Sequence, residues 1–453
     1  MTSRDLFSGR AGIPEVRWAL RGAAPKRAIR AAIQGLLEDG ATVAACRLRR
    51  VKFKPGRKLT VTYDAWIRAR NAHVARPVVV IWDGSEGVAR REPQVHELEA
   101  EAVCRGLAAP FRRLQGRVPE LDASVMVSPL DIKLPQLVRL SDPAYVAAML
   151  AAASAGAPRN AYRVLTIRYR PGERHVLCYE PAQVAPGRAV FAKLSRRDAD
   201  VARAFRVATH VADCLDASGG TARALRPLAC VERDGVILFP ELRGRPLSEA
   251  LGAGDGGVTG HLEAAARALR ALHRAPVRLG EALAHRDFAT DVEKIRRASE
   301  HIMTLRPRTG AWIDRTLERA RALYDRLPPE PSAFTHGDFK ADHVWTSSGR
   351  VLVLDFGSCG SGDPALDVGK FLADLDWWCR HSGRHSTRAR SAFLAAYGCA
   401  ADGGRARLQR AGVYEALFLV MFAAHRVPLH QSGWAERAAR LVRRAAGVLD
   451  ELC

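Results

Sequence analysis

Apolar and polar positions alternate with a period of two in two stretches of this chain, residues 46–64 (CRLRRVKFKPGRKLTVTYD) and 162–180 (YRVLTIRYRPGERHVLCYE). Each alternation breaks at a Pro-Gly pair and then resumes, which is the pattern of a β-hairpin. At a constant offset of 116 residues the two stretches share Arg47 with Arg163, Pro55 with Pro171, Gly56 with Gly172 and Tyr63 with Tyr179. Val51 with Ile167 and Phe53 with Tyr169 are conservative pairs. A short apolar strand follows each hairpin, at 77–82 (PVVVIW) and 189–194 (AVFAKL), and a helical pattern follows each strand, at 95–108 and 201–215. The repeat predicts two related sheet-plus-helix units. The second carries Lys193 inside its apolar strand; the matching position in the first is close to Ile81.

After the second unit a strand at 235–238 (GVIL) runs into Phe239-Pro240-Glu241-Leu242. Helical spacing then dominates, with a leucine and alanine stripe at 259–273 and a further helix from about 311 to 327 that stops at Pro328-Pro329. A β-rich block at 334–356 interrupts it, and helices fill the remainder. The most linker-like segment is 252–260 (GAGDGGVTG). The order predicts an α+β fold, mixed at the start and mainly helical afterwards.

Composition adds limits rather than an identity. A length of 453 residues allows about three units. Lysine and arginine number 70 against 48 acids, a formal charge of +22, and only nine of the 70 are lysines. A charge of that size raises nucleic acid as a partner. The arginines are scattered singly or in pairs from end to end, so the excess reads as a compositional preference, and nucleic acid is disfavoured. Nine cysteines with no CxxC pair cannot all be paired internally, which favours reduced, mostly buried thiols and a cytoplasmic location. The N-terminus lacks the apolar core of a signal peptide, and the most apolar run, 416–424, is too short for a membrane span of about 20 residues.

The chemistry sits in residues 333–367, AFTHGDFKADHVWTSSGRVLVLDFGSCGSGDPALD. Asp338 lies in His336-Gly337-Asp338, and Asp355 leaves a predicted strand into Phe356-Gly357, with Gly337 and Gly357 permitting tight turns. His336 is expected to brace that loop. Asp363 and Asp367 read as turn and cap residues. Phosphoryl transfer needs a carboxylate to take a proton from the attacking hydroxyl, another to hold a metal on the phosphates, and a cation on the phosphates themselves. Asp338, Asp355 and Lys193 could supply those parts. Further on, Asp374, Asp376, Trp377 and Trp378 could meet a cationic substrate, but a helix end with core tryptophans is the preferred reading.

With HGD, DFG and Gly362-Asp363-Pro364-Ala365-Leu366-Asp367 in this order behind a lysine-bearing strand, the sequence from about residue 160 onward resembles the aminoglycoside phosphotransferase and choline kinase-like family. The resemblance implies a bilobal, protein-kinase-like fold with a small β-rich N-lobe, a mainly helical C-lobe and, here, an extra lobe-like repeat ahead of both. It divides the chain into a degenerate repeat at 1–150, a nucleotide-binding N-lobe with hinge at 151–243, and a helical C-lobe at 244–453. It implies an ATP-dependent transfer of the γ-phosphate to a hydroxyl of an unidentified small molecule. Asp338 becomes the catalytic base, and Asp355 a metal ligand for Mg2+. Lys193 becomes a phosphate-binding residue. Gly172 lies in a turn over the phosphates with Arg170 or Arg174 near them, and Phe239, Glu241 and Leu242 form the adenine hinge.

The chain departs from the family twice. The family's asparagine in HGDxxxxN falls on His343, whose imidazole is a poor partner for Mg2+ and a better one for Mn2+. The glutamate that pairs with the strand lysine is missing, since residues 195–229 hold no glutamate; Asp198, Asp200, Asp213 and Asp216 are the acids available, with Asp213 the candidate. These departures motivate an alternative, a catalytically weak, pseudokinase-like nucleotide-binding regulatory protein. The acceptor, the role of residues 1–150 and the oligomeric state are not legible.

Overall fold

In the computed structural model both Pro-Gly breaks are hairpin turns of one kind. Strands β1 (Thr42–Lys54) and β2 (Lys58–Ala69) flank the first, and β6 (Tyr162–Arg170) and β7 (Arg174–Pro181) the second. Proline presets the second turn position and glycine takes the left-handed third, with φ +66° at Gly56 and +67° at Gly172. Arg57 N–H donates to the Lys54 carbonyl at 3.1 Å, and Glu173 N–H to that of Arg170 at 3.0 Å. The structure describes residues 12–70, 72–82, 92–153, 161–182, 189–196, 200–253, 257–275, 283–347, 350–381, 383, 386–398 and 404–452. Asp198, Cys399, Cys453 and linker residues 254–256 lie outside the described residues.

The repeat extends to whole sheets. Strands β3 (Ala72–Trp82), β4 (Gln115–Val118) and β5 (Ala123–Val127) join the first hairpin in an antiparallel sheet of order β1-β2-β3-β5-β4. The second sheet uses β8 (Val190–Leu194), β10 (Ala229–Val231) and β11 (Val236–Pro240) in the same order, β6-β7-β8-β11-β10. Register carries the correspondence to single residues. Thr60 faces Ile81 in the first sheet, and its counterpart Val176 faces Lys193 in the second. Lys193 therefore stands where the first copy has a buried isoleucine, and it is itself half-buried.

The chain forms two compact units: Met1–Val201 with Leu228–Glu241 and Pro428–Trp434, and Ala202–Pro227 with Leu242–Val427 and Ala435–Cys453. In the first unit, alternate residues of β2, Leu59, Val61, Ala65 and Ile67, are buried, as period two requires. Leu134, Leu137, Leu140, Val146, Met149 and Leu150 pack with Leu177, Tyr179, Leu194 and Leu238 in one core, so the segment after the first sheet backs the second. Helix Pro143–Ala153 runs across position 150.

The second unit is mainly helical, with helices that include Val258–Arg274, Phe288–Leu305, Pro307–Arg326, Ala365–His381 and Gly404–His425. Its small sheet is ordered β12-β14-β15-β9, from β9 (Ala222–Ala224), β12 (Arg245–Pro246), β14 (Val344–Ser347) and β15 (Arg350–Val353). Strands β13 (Ala333–Thr335) and β16 (Gly360–Gly362) form a separate pair. The α+β expectation is borne out. Of the seven described cysteines, Cys178 and Cys379 are buried and Cys104 is exposed, so the thiols are less buried than expected. No helix among the described residues is long and apolar enough to cross a membrane.

His175 on β7 is fully buried, its ring 4.8 Å from that of Tyr169, and burial pushes its pKa down to about 3. Unfolded, the imidazole takes a proton below about 6.5, whereas in the fold it stays neutral. Stability is therefore intact above pH 6.5 and declines as pH falls toward 3. Between pH 7 and pH 5, urea denaturation of wild type is expected to lose about 2 kcal/mol more than that of His175→Phe. Equal losses would show that this ring does not set the acid dependence.

Candidate active site

The site is built on the turn after β13. Gly337 has φ +74°, and a Cβ there would lie 2.1 Å from the Ser358 carbonyl oxygen, so glycine alone fits where the HGD and DFG turns meet. In the second turn the left-handed residue is Asp355 itself, φ +63°, not Gly357 as the sequence suggested. An aspartate tolerates this conformation, and it aims the carboxylate off the end of the β14–β15 hairpin.

One face of helix Ala365–His381 cradles the first turn. Asp367, fully buried, accepts the His336 N–H at 2.6 Å and the Gly337 N–H at 2.7 Å. Lys370 reaches Asp338 Oδ1 at 2.7 Å, and Asp374 accepts the Ala341 N–H at 2.6 Å. Spacing of three and then four residues places all three side chains on one helical stripe. His273 contacts Asp367 at 3.2 Å and the Tyr397 hydroxyl at 2.7 Å. His336 is structural, as expected: its Nδ1 accepts the Asp338 N–H at 3.2 Å and its Nε2–H donates to the Leu354 carbonyl at 2.9 Å. Asp363 caps Ala365 N–H at 2.9 Å and pairs with Arg410 at 2.7 Å, as expected of a turn and cap residue, whereas Asp367 sits inside the helix and braces the 336–337 loop instead.

Asp338, His343 and Asp355 converge, each offering a ligand atom within 4.8 Å of the others. His343 Nδ1 lies 3.0 Å from the Asp338 carbonyl oxygen. A carbonyl can only accept, so Nδ1 carries the proton and Nε2 presents a lone pair. That lone pair faces Asp355 Oδ2 at 3.6 Å. Burial, helped by the nearby Lys340, outweighs the raising effect of Asp338 and Asp355 and lowers the His343 pKa to about 4, so the ring is neutral at physiological pH. Two acceptors facing each other at this distance suit a cation between them. Neutral imidazole with two carboxylates fits Mn2+ better than Mg2+.

Sequence reading missed two residues. Lys340 reaches Asp338 Oδ2 at 2.9 Å, opposite Lys370 on Oδ1. Lys370 is nearly buried, its ammonium also 4.5 Å from the centre of the Phe418 ring. Burial alone would raise the Asp338 pKa, but Lys370 first, then His343 and Lys340, override it and hold the carboxyl far below the usual range. The available signal was scarcity: nine lysines in the chain, one of them inside the apolar helix sequence ALDVGKFLADL.

The remaining selected residues are carried by other elements. Lys193, Gly172, Phe239 and Glu241 belong to the first unit and Leu242 to the second. Lys193 faces Val176 on one side and Ile237 on the other, and Phe239 faces Phe191. Asp213 pairs with Arg226 at 2.6 Å, and Asp216 with Arg223 at 3.1 Å, so both are engaged with arginines. Asp374 pairs with Arg426 at 2.5 Å and Asp376 with Arg380 at 2.6 Å, while Trp377 and Trp378 lie near the helix end but are half-buried rather than core.

The phosphotransferase enzyme family, APH, matches residues 182–410, half of the chain. The chain belongs to this family. Membership brings the small-molecule kinase class and the kinase-like fold inferred from the motifs. No curated protein matches the sequence. Among solved structures, choline kinase from Cryptosporidium parvum Iowa II is similar over 68% of this chain and 95% of its own, at 10% identity and a TM-score of 0.49. A choline/ethanolamine kinase family protein from Mesorhizobium loti is similar over 67% and 94%, at 15% identity and a TM-score of 0.45. An amicoumacin kinase is similar over 68% and 92%, at 15% identity and a TM-score of 0.48.

Asp338→Asn leaves the buried Lys370 ammonium without its counter-charge. We expect it to cost about 3 kcal/mol in urea denaturation, with most of the loss recovered in the Asp338→Asn, Lys370→Met double variant. Additive losses would show that the two side chains do not depend on each other.

Proposed function

We propose that this phosphotransferase uses ATP as donor and transfers its γ-phosphate to a hydroxyl of a small molecule. The observation that carries the reading is the lone pair of His343 facing Asp355 beside Asp338. Asp338 accepts the proton of the acceptor hydroxyl as the phosphoryl group arrives. Its two lysines keep it ionised and fix its orientation; they also lower its basicity, which suits a loose transition state in which little proton transfer has occurred. Asp355 and His343 hold a divalent ion, Mn2+ or Mg2+, which when bound neutralises charge on the phosphates. Lys193 binds phosphate oxygens, the Gly172 turn covers them, and the backbone of Phe239, Glu241 and Leu242 reads adenine.

Asp374 and Asp376 are held by Arg426 and Arg380, and the buried Glu415 by Arg390 at 2.6 Å, so none of these three carboxylates is offered to a cationic acceptor. The reading places the enzyme in the cytoplasm, where ATP is supplied.

The test is ATP consumption over a panel of alcohols, with Mn2+ and Mg2+ compared. Wild type is expected to turn over, with activity higher in Mn2+. Asp338→Asn, assayed well below its melting temperature, is expected to lose about a thousandfold or more in kcat. Equal turnover in wild type and variant would remove Asp338 as the base. ATP binding without turnover by wild type would favour the regulatory alternative.

A further inference from the structure

The β6–β7 turn, Pro171-Gly172-Glu173, is held from outside its own hairpin. Asp131, in the segment between the two sheets, is almost fully buried, and its Oδ2 accepts the Gly172 N–H at 2.8 Å and the Tyr169 hydroxyl at 3.1 Å. Its Oδ1 accepts the Lys133 N–H at 3.0 Å, which fixes the carboxylate in its own loop. A Cβ on Gly172 would lie 3.4 Å from Lys133 Cγ, so the loop packs directly on the turn. On the other side, Glu173 is gripped by Arg50 at 3.3 Å and by Lys52, both on β1 of the first copy.

The first copy provides an internal control. Its turn has the same Pro-Gly pair at the same positions, the same left-handed glycine and the same closing hydrogen bond, but Arg57 where the second copy has Glu173. Yet a Cβ on Gly56 would meet nothing within 4 Å among the described residues. The Pro-Gly turn therefore closes with no described residue packed on its glycine. What the Asp131 and Glu173 contacts add in the second copy is a fixed position for the turn relative to the rest of the first unit.

We infer that Asp131, Arg50 and Lys52, the last two acting through Glu173, are positioning residues that pre-set the turn for nucleotide. This rests on the reading above, in which the Gly172 turn covers the phosphates. It also gives the first copy a role, because its β1 strand is one jaw of the clasp. A loop ordered before binding loses less freedom when the nucleotide arrives, which favours affinity rather than the chemical step.

The test uses the full-length protein, as wild type, Asp131→Ala and an Arg50→Ala, Lys52→Ala double variant; the double variant changes half-exposed side chains and guards against misfolding of the first. Amide hydrogen exchange of the peptide spanning 169–175, without nucleotide, is expected to accelerate about tenfold in both variants, with the 53–57 peptide unchanged. The KM for ATP is expected to rise about tenfold while kcat stays within about threefold. Unchanged exchange at 169–175 would overturn the clasp. Faster exchange with an unchanged KM for ATP would overturn the positioning role and leave these residues merely structural. A wild-type chain that binds no ATP would overturn the parent reading, and that failure is recognised because it occurs before any substitution is made.

Discussion

One helical stripe, Asp367, Lys370 and Asp374, sets the geometry on which the site depends. The loop at 336–341 turns too tightly to satisfy its own backbone N–H groups, and it is buried. Asp367 and Asp374 supply the missing acceptors, while Lys370 takes the side chain of the central residue. A single rigid element thus fixes both the path of the loop and the orientation of Asp338. Burying two carboxylates and an ammonium is costly, and the arrangement is tolerable because each has a partner of opposite need. Arg426 on Asp374 and His273 on Asp367 complete that balance.

Lysine and arginine divide the work in this protein. Arginines make forked pairs with carboxylates, as Arg390 does with both oxygens of Glu415. Lysines stand where a compact point charge is needed: two on Asp338, one in the apolar strand β8, and one on Glu173. A planar guanidinium in place of Lys370 would put a larger, forked group where a compact ammonium sits 4.5 Å from the centre of the Phe418 ring.

Local pattern carried most of what was legible. Period-two alternation around Pro-Gly located both long hairpins, because a hairpin turn is encoded by adjacent residues. The HGD and DFG segments were legible because their chemistry is dense in a short span. Other features depended on distant partners. Helices Ile13–Arg21 and Ala23–Gln34 were not read, since Gly22 and Pro25 interrupt short apolar stripes. The β4–β5 pair escaped because four- and five-residue strands around Pro119 leave little periodicity. Asp131 carried no local signal and was not singled out, and Asp213 looked available to a lysine until folding set Arg226 beside it. Gly357 was credited with a strain that Asp355 bears.

The two lysines on Asp338 have a consequence for the order of arrival. With His343 neutral, the side chains of Asp338, Asp355, Lys340 and Lys370 sum to zero formal charge. The Asp355–His343 pair offers lone pairs to a divalent ion, but the four charged side chains would leave its double charge uncompensated. An ion already chelated by a triphosphate would bring its own counter-charge. On the proposed function the cluster therefore suits the metal–nucleotide complex as a unit better than either component alone.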